Sequence, residues 1–381
     1  MDNSLWFIVH GNYFKRLALL SATILCSFAV NAQSAFKGLE NLFDTPENYV
    51  VYHVDHPPVI DGNINELVWQ QVNWTKEFVD IEGRDKPKPP FATKVKMLWD
   101  DTCLYIAAQL TEPQIWASIK KHDAVVFQDN DFEFFIDPSG TTQPYFEVEV
   151  NPFNTIWDLL LTRAYRDGGT PLSSWDLPNL KSAVKIQGTL NDPSDKDEGW
   201  TVEMAIPLKA LIANSRSQRL QDGAIWRINF SRVEWDTKVV DGKYVKLTDN
   251  KGKPLPEHNW SWSPQGLIAM HYPERWGYIQ FSKQPVNSVT FNMPYAEEQK
   301  KYLWLIYYKQ NQWFSEHKAY AATLHDLGID EHANINGKEN TLQLEATNHQ
   351  FMGFIKDSEG KEVWAINEVG WVQKNPDHTH E

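Results

Sequence analysis

The chain has 381 residues, 42% of them hydrophobic and 23% charged, which is the balance of a folded globular protein and excludes a disordered tail, a collagen or a coiled coil. Its formal net charge of -14 repels phosphate backbones and argues against a nucleic-acid partner. With 17 Trp, 14 Tyr and 19 Phe, it is rich in flat apolar rings that can stack on CH-rich ligands.

Lys15 and Arg16 precede an apolar run from Leu17 to Val30, closed by Val30-Asn31-Ala32. This pattern predicts a secretory signal cut after Ala32, too short for a comfortable membrane span. Thr23-Ile24-Leu25 before Cys26 is a poor lipoprotein box, so no lipid anchor is expected. Cys103 is then the one thiol left, in an apolar strand pattern, and no intrachain disulfide can form.

A polar segment, 33–48, leads into strand-like sequence. Alternation and turn residues predict strands at Val50–Val54, Lys94–Trp99, Leu104–Leu110, Phe132–Ile136, Tyr145–Val150, Ala183–Gly188, Trp200–Ile206, Ala224–Val233 and Tyr278–Phe281. Many short strands separated by Gly, Pro and Asp turns predict an antiparallel, jelly-roll-like all-β sandwich over 49–283. Near Pro294 the period changes. Leu303, Ile306, Tyr307, Phe314, His317, Ala321 and Leu324 follow helical steps, with Gly328 as a stop. Trp304, Tyr308 and Trp313 lie off that stripe, so the helix should bury more than one face. Strands at Leu342–Ala346, Phe351–Ile355 and Val363–Ile366 complete a small α+β appendage, 284–381, of long helix plus antiparallel hairpin, expected to pack on the sandwich.

The hairpin of Phe132–Ile136 and Tyr145–Val150 is the most informative segment. Phe132, Phe134 and Ile136 share a face with Phe146, Val148 and Val150, which makes a core face. The other face carries Asp131, Glu133, Phe135 and Asp137 beside Tyr145, Glu147, Glu149 and Asn151. A symmetric loop sets Glu133 opposite Glu149, and opposed like charges destabilise a sheet unless something offsets them. Arg227 and Arg232 are candidate neutralisers; solvent, a bound cation or ligand hydroxyls are others. The same pair invites a glycoside-hydrolase reading, because opposed strand residues meet the roughly 5–5.5 Å spacing of retaining enzymes by geometry alone. No zinc-protease, nucleophile-elbow, phosphate-loop or dinucleotide motif occurs. Asp129, Asp131 and Glu133 offer oxygens to calcium, weighed against a solvated strand edge. Asp377-His378-Thr379-His380 lies in a tail expected to fray. Trp99, Trp200 and Trp226 should pack the core, whereas Trp116, Phe127, Trp157, Trp175, Trp260, Trp262 and Trp276 lie in or beside loops, where rings can stack on sugars or simply pack.

Val59-Ile60-Asp61-Gly62 with Asn65-Glu66-Leu67-Val68-Trp69 resembles the opening motif of family 9 carbohydrate-binding modules. Val95 to Pro113, Asp129 to Pro138, Gly199 to Pro207 and Trp276-Gly277-Tyr278-Ile279 resemble four further segments of that family, in family order from about Tyr49 to Phe281. The resemblance implies a β-sandwich of the cytochrome-binding-like superfamily that is non-catalytic and binds a poly- or oligosaccharide. In such modules two Trp rings clamp a terminal sugar. Carried over, the first clamp position falls near Phe127 and the second near Met270 or His271, so both clamp tryptophans are absent. Glu133 falls on a hydroxyl-binding carboxylate, and Glu147 where a basic sugar contact is expected. The implied ligand-binding set is Phe127, Glu133, Glu147, Arg232, Trp262, His271 and Trp276, with Trp260, Trp262 or Trp276 able to replace a ring. Some members bind calcium, whose ligands do not map onto this chain; no other cofactor is implied. The resulting expectation is a secreted or periplasmic glycan-capture protein without a span in its mature chain, working beside glycan-degrading proteins. The alternatives are a glycoside hydrolase using Glu133 and Glu149, and an envelope protein that has lost sugar binding.

Overall fold

A computed structural model describes residues 35–212, 220–360 and 363–375. The expected signal segment and its cut after Ala32, and the His-Thr-His tail, lie outside the described residues. Fifteen strands form the larger part: β1 (Asn48–His53), β2 (Val79–Asp80), β3 (Thr93–Trp99), β4 (Cys103–Thr111), β5 (Phe132–Asp137), β6 (Tyr145–Val150), β7 (Ile156–Leu161), β8 (Pro171–Leu172), β9 (Lys181–Gln187), β10 (Gly199–Pro207), β11 (Ile225–Glu234), β12 (Thr237–Val240), β13 (Lys243–Lys246), β14 (His258–Ser261) and β15 (Gly277–Ser282). Thirteen of them make one sheet in the order β8-β7-β6-β5-β11-β15-β1-β3-β4-β10-β9, with β14 and β2 branching from β11. β12 and β13 pair separately.

The sheet curls into a sandwich because its two halves share one core. Phe132, Phe134, Phe146 and Val148 of β5 and β6 meet Val95, Met97, Ile106, Val202 and Met204 of β3, β4 and β10 there. Those four residues of β5 and β6 lie on the face that strict alternation assigns to the core. The expected register also holds: Glu133 is the Cα partner of Glu149. One detail departs from an all-antiparallel sandwich, since β1 runs parallel to both β15 and β3. The sheet ends in short or guarded strands. β8 and β2 are two residues long, and β9 carries Lys181 and Lys185.

Contacts between distant segments tie the sandwich together. A four-residue helix, α1 (Leu67–Gln70), brings Trp69 onto buried Glu203 of β10. The other oxygen of Glu203 accepts the amide N–H groups of Asp61, at 3.1 Å, and Gly62, at 2.8 Å. Gly62 has a φ of +82°, and a Cβ there would come within 2.9 Å of Lys185, so the turn requires glycine. A second four-residue helix, α2 (Leu208–Leu211), follows β10.

The long helix α3 runs Tyr295–His317, beginning eight residues before Leu303 and ending before Ala321 and Leu324. Pro294 caps its start, and Lys318 leaves the helical region at a φ of +57°. Gly328 sits in a later turn. Leu303 through Tyr308 are all buried, which is the multi-faced burial that Trp304 and Tyr308 imply. α3 packs on a five-stranded antiparallel meander rather than on a single hairpin: β16 (His332–Ile335), β17 (Lys338–Ala346), β18 (Phe351–Asp357), β19 (Val363–Asn367) and β20 (Val372–Lys374). Polar and aromatic contacts fasten this unit to the sandwich. Glu297 accepts hydrogen bonds from Arg227 at 2.9 Å and from Tyr278 at 3.0 Å, and the hydroxyl of Tyr308 donates to Glu274. Among the described residues, no helix is long and apolar enough to cross a membrane.

Candidate functional site

β5 lies between β6 and β11, and its outward face fixes the chemistry of the site. Glu133 is flanked by Glu149 on one side and Ser231 on the other, and Phe135 by Glu147 and Asn229. β7 extends the row, with Trp157 opposite Glu149 and Leu159 opposite Glu147. Above these strands opens a pocket of about 340 Å³ lined by Glu133, Glu147, Glu149, Phe127, Trp157 and His271, with Tyr165, Glu257 and Asn259 among its other walls.

Phe127 and Trp157 are stacked, ring centroids 6.4 Å apart and planes within 24°, and both are partly exposed. Together they form a short aromatic plate at the acidic row. Phe127 is held through its backbone, whose N–H donates to Glu149 Oε2 at 2.8 Å. His271 faces the pocket from the segment before β15. Burial drops its pKa to about 4, so the ring is neutral near pH 7. The Tyr145 hydroxyl lies 2.8 Å from its Nδ1. Burial drives the Tyr145 pKa upward, so the phenol keeps its proton and the contact joins two neutral groups, each able to donate or to accept.

The acids are unusual for being enclosed. Burial raises Glu133 to about 7, with the charge of Glu257 adding to the rise. Burial and neighbouring carboxylates push Asp131, Glu147 and Glu149 well above the ordinary carboxylate range. Part of the offset comes from the backbone: Val233 N–H donates to Asp131 Oδ1 at 3.1 Å. The other oxygen of Asp131, one oxygen of Glu147 and the indole nitrogen of Trp157 are buried without a hydrogen-bond partner. Asp131, Glu133 and Glu149 each bring an oxygen within 4.8 Å of the others, the kind of oxygen set that a calcium ion accepts.

Neither arginine pairs with Glu133, Glu147 or Glu149, although Arg227 lies across from Asp137 at the far end of β5. Arg227 stacks on Tyr278 and donates to Glu297 and to the carbonyls of Glu274 and Trp276. Arg232 lies on the opposite face of β11, paired with Glu112 at 2.6 Å and Glu234 at 2.7 Å. That ion triad borders a separate cleft of about 520 Å³ lined by Phe91, Trp116, Trp235 and Trp260.

The residues named from sequence therefore divide into two groups. Phe127, Glu133, Glu147 and His271 come together around one pocket. Arg232 does not join them. Trp262 packs into the sandwich core against Phe230. Trp276 is wholly buried beside Phe135 and Tyr145, its indole N–H given to the Met270 carbonyl at 2.7 Å, so it supports the pocket without touching a ligand. Gly277 is needed beside it, because a Cβ would meet the Trp262 ring at 2.5 Å. Trp157 and Glu149 join the pocket as well, beyond the ligand set that the resemblance implies: Glu149 through the β5–β6 register, and Trp157 through β6–β7 pairing, which the short turn Asn151-Pro152-Phe153-Asn154 announces.

The family described as carbohydrate family 9 binding domain-like matches residues 60–280. Curated relatives include exoglucanase XynX of Acetivibrio thermocellus, 25% identical over 150 residues, covering 39% of this chain and 11% of the relative. Endo-1,4-beta-xylanase A of Thermotoga maritima is 29% identical over 159 residues, covering 40% of this chain and 12% of the relative. The chain thus aligns with only a small fraction of the length of these enzymes. Among solved structures, a carbohydrate binding module family 9 from Caldicellulosiruptor kristjanssonii in complex with cellotriose is 18% identical, with 65% of this chain and 100% of that chain covered at a TM-score of 0.39. A putative carbohydrate-binding protein from Bacteroides uniformis is 20% identical, with 62% and 100% covered at a TM-score of 0.45.

Proposed function

Since this chain belongs to the carbohydrate family 9 binding domain-like family, we propose that it is a non-catalytic carbohydrate-binding protein whose site is the pocket of Phe127, Trp157, Glu133, Glu147, Glu149 and His271. The observation that carries this reading is the aromatic plate of Phe127 and Trp157 set against a row of carboxyl groups. A sugar ring presents an apolar CH face and a rim of hydroxyls. The plate accepts the first, and carboxyl oxygens accept hydrogen bonds from the second. The neutral His271 lines the same pocket and can hydrogen-bond a hydroxyl without adding charge.

The binding unit spans 49–283, and 284–381 is a helix-and-sheet appendage docked on it. The protein is exported to the periplasm or beyond the cell, with its signal cut after Ala32. It captures plant or algal polysaccharide for breakdown by other proteins, a role supported by the xylanase and exoglucanase names of the aligned relatives. A glycan array that includes xylo- and cello-oligosaccharides tests the binding, and a hydrolysis assay on the same glycans tests the absence of catalysis. No binding to any glycan, or turnover lost in Glu133→Gln, would replace this reading.

A further inference from the structure

Away from the pocket, three segments converge on a second set of ligating groups. His122 and Asp123 lie in the loop before Phe127, Asp158 on β7 and Asp176 in the loop after β8. One atom from each of the four lies within 4.8 Å of the others. The Nε2 atom of His122 is 2.9 Å from Asp176 Oδ1, 3.5 Å from Asp123 Oδ1 and 4.0 Å from Asp158 Oδ1. We propose that His122, Asp123, Asp158 and Asp176 form a site for a divalent transition-metal cation.

Two independent features point to an ion at the centre. The first is Asp158, 2% exposed, whose Oδ1 is buried without any hydrogen-bond partner although it faces the cluster. Its other oxygen accepts the Leu177 N–H, so the carboxylate cannot turn to satisfy the first. A protonated His122 serves Asp176 alone by a hydrogen bond, and leaves Asp158 Oδ1 orphaned. A central cation contacts all four groups at once.

The second feature is the orientation of the imidazole. Nδ1 of His122 lies 3.0 Å from the carbonyl of Ile156, which can only accept, so Nδ1 carries hydrogen and Nε2 is the ligating nitrogen. A backbone carbonyl behind a ligating histidine is the usual way its tautomer and direction are fixed. The same carbonyl accepts the Asp123 N–H at 3.2 Å, which holds the second ligand in step with the first. One imidazole among carboxylates suits zinc or its first-row neighbours better than calcium. Tetrahedral zinc with bonds of about 2.1 Å spaces its ligands about 3.4 Å apart, close to the mean of the three nitrogen–oxygen distances.

The test is calorimetric titration of the metal-free full-length chain with Zn²⁺ and, separately, Ca²⁺. His378→Ala and His380→Ala are included throughout, so that the His-Thr-His tail takes no ion. One equivalent of Zn²⁺ should bind and raise the melting temperature. Both His122→Ala and Asp158→Asn should weaken binding by more than about tenfold and abolish the thermal shift. His122 is exposed, so its variant should fold even where Asp158→Asn does not. No Zn²⁺ uptake by the parent, unchanged uptake by His122→Ala, or preference for Ca²⁺ would each overturn the assignment.

Discussion

The indole Nε1 of Trp69 donates to Glu203 Oε1 at 2.7 Å, joining residues 134 positions apart in the sequence. The opening segment of the module is thereby pinned to the middle of β10 by a buried carboxylate that accepts three N–H groups. Glutamine at 203 offers one acceptor oxygen, so at least one buried donor loses its partner. Glu203→Gln should destabilise the fold by about 1–3 kcal/mol, read from urea unfolding, while leaving glycan affinity unchanged. An unchanged midpoint would mean that the turn at Gly62 holds without the carboxylate.

Phe127→Ala and Trp157→Ala each remove half of the aromatic plate. Stacking worth about 1–3 kcal/mol per ring predicts a loss of roughly tenfold to a hundredfold in affinity for the glycan identified on the array. Unchanged affinity in both variants would move the site to another face.

Glu133→Gln keeps the shape of the row and removes one buried carboxyl opposite Glu149. Glycan affinity should fall, because a charge-assisted acceptor becomes a neutral one. The free protein should be at least as stable as the parent near pH 7, since a neutral amide replaces a carboxyl whose charged form burial disfavours. Thermal melts beside the binding titration measure both, and a less stable variant would assign Glu133 a structural role.

Acid should loosen the joint between helix α3 and the sandwich. Burial alone would raise the pKa of Glu297, but Lys300 and Arg227 overrule it and hold it at about 2. A carboxylate depressed in the folded state contributes stability that is present above its unfolded pKa and lost as pH falls toward the folded value. The parent should therefore lose stability between about pH 4.5 and pH 2, and Glu297→Gln should flatten that part of the profile. Parallel acid profiles for the two proteins would rule the joint out.

Ending the chain after Ser282 removes α3 and the meander and uncovers Tyr278, Arg227 and Glu274. Lower solubility or a lower melting temperature is expected, measured by sedimentation and calorimetry. A truncated protein equal to the parent would make the two parts independent.

Strict alternation in β5 and β6 was enough to read the core face, the acidic face and the Glu133–Glu149 register from sequence. The same rule carries a warning about β11. Positions 227 and 232 differ by an odd number, so Arg227 and Arg232 cannot both face the acidic row, and Arg232 shares its side with core residues Ile228 and Phe230. Which tryptophans are exposed is not written in local pattern. Trp262 and Trp276 sit in loop-like sequence yet are buried by segments far away in the chain. The helix ends earlier than its spacing suggests, because Ala321 and Leu324 keep a helical spacing while lying beyond Lys318, which has already left the helical conformation. β2, β14 and β8 are too short to have a period at all.

The ends of the large sheet bear on how the protein behaves when crowded. Pro171 in β8 has no N–H to offer a further strand, β2 is too short to template one, and an added chain at β9 would meet Lys181 and Lys185. Copies of the chain brought close together would therefore find no ready edge at these ends of the large sheet to extend into a common ribbon.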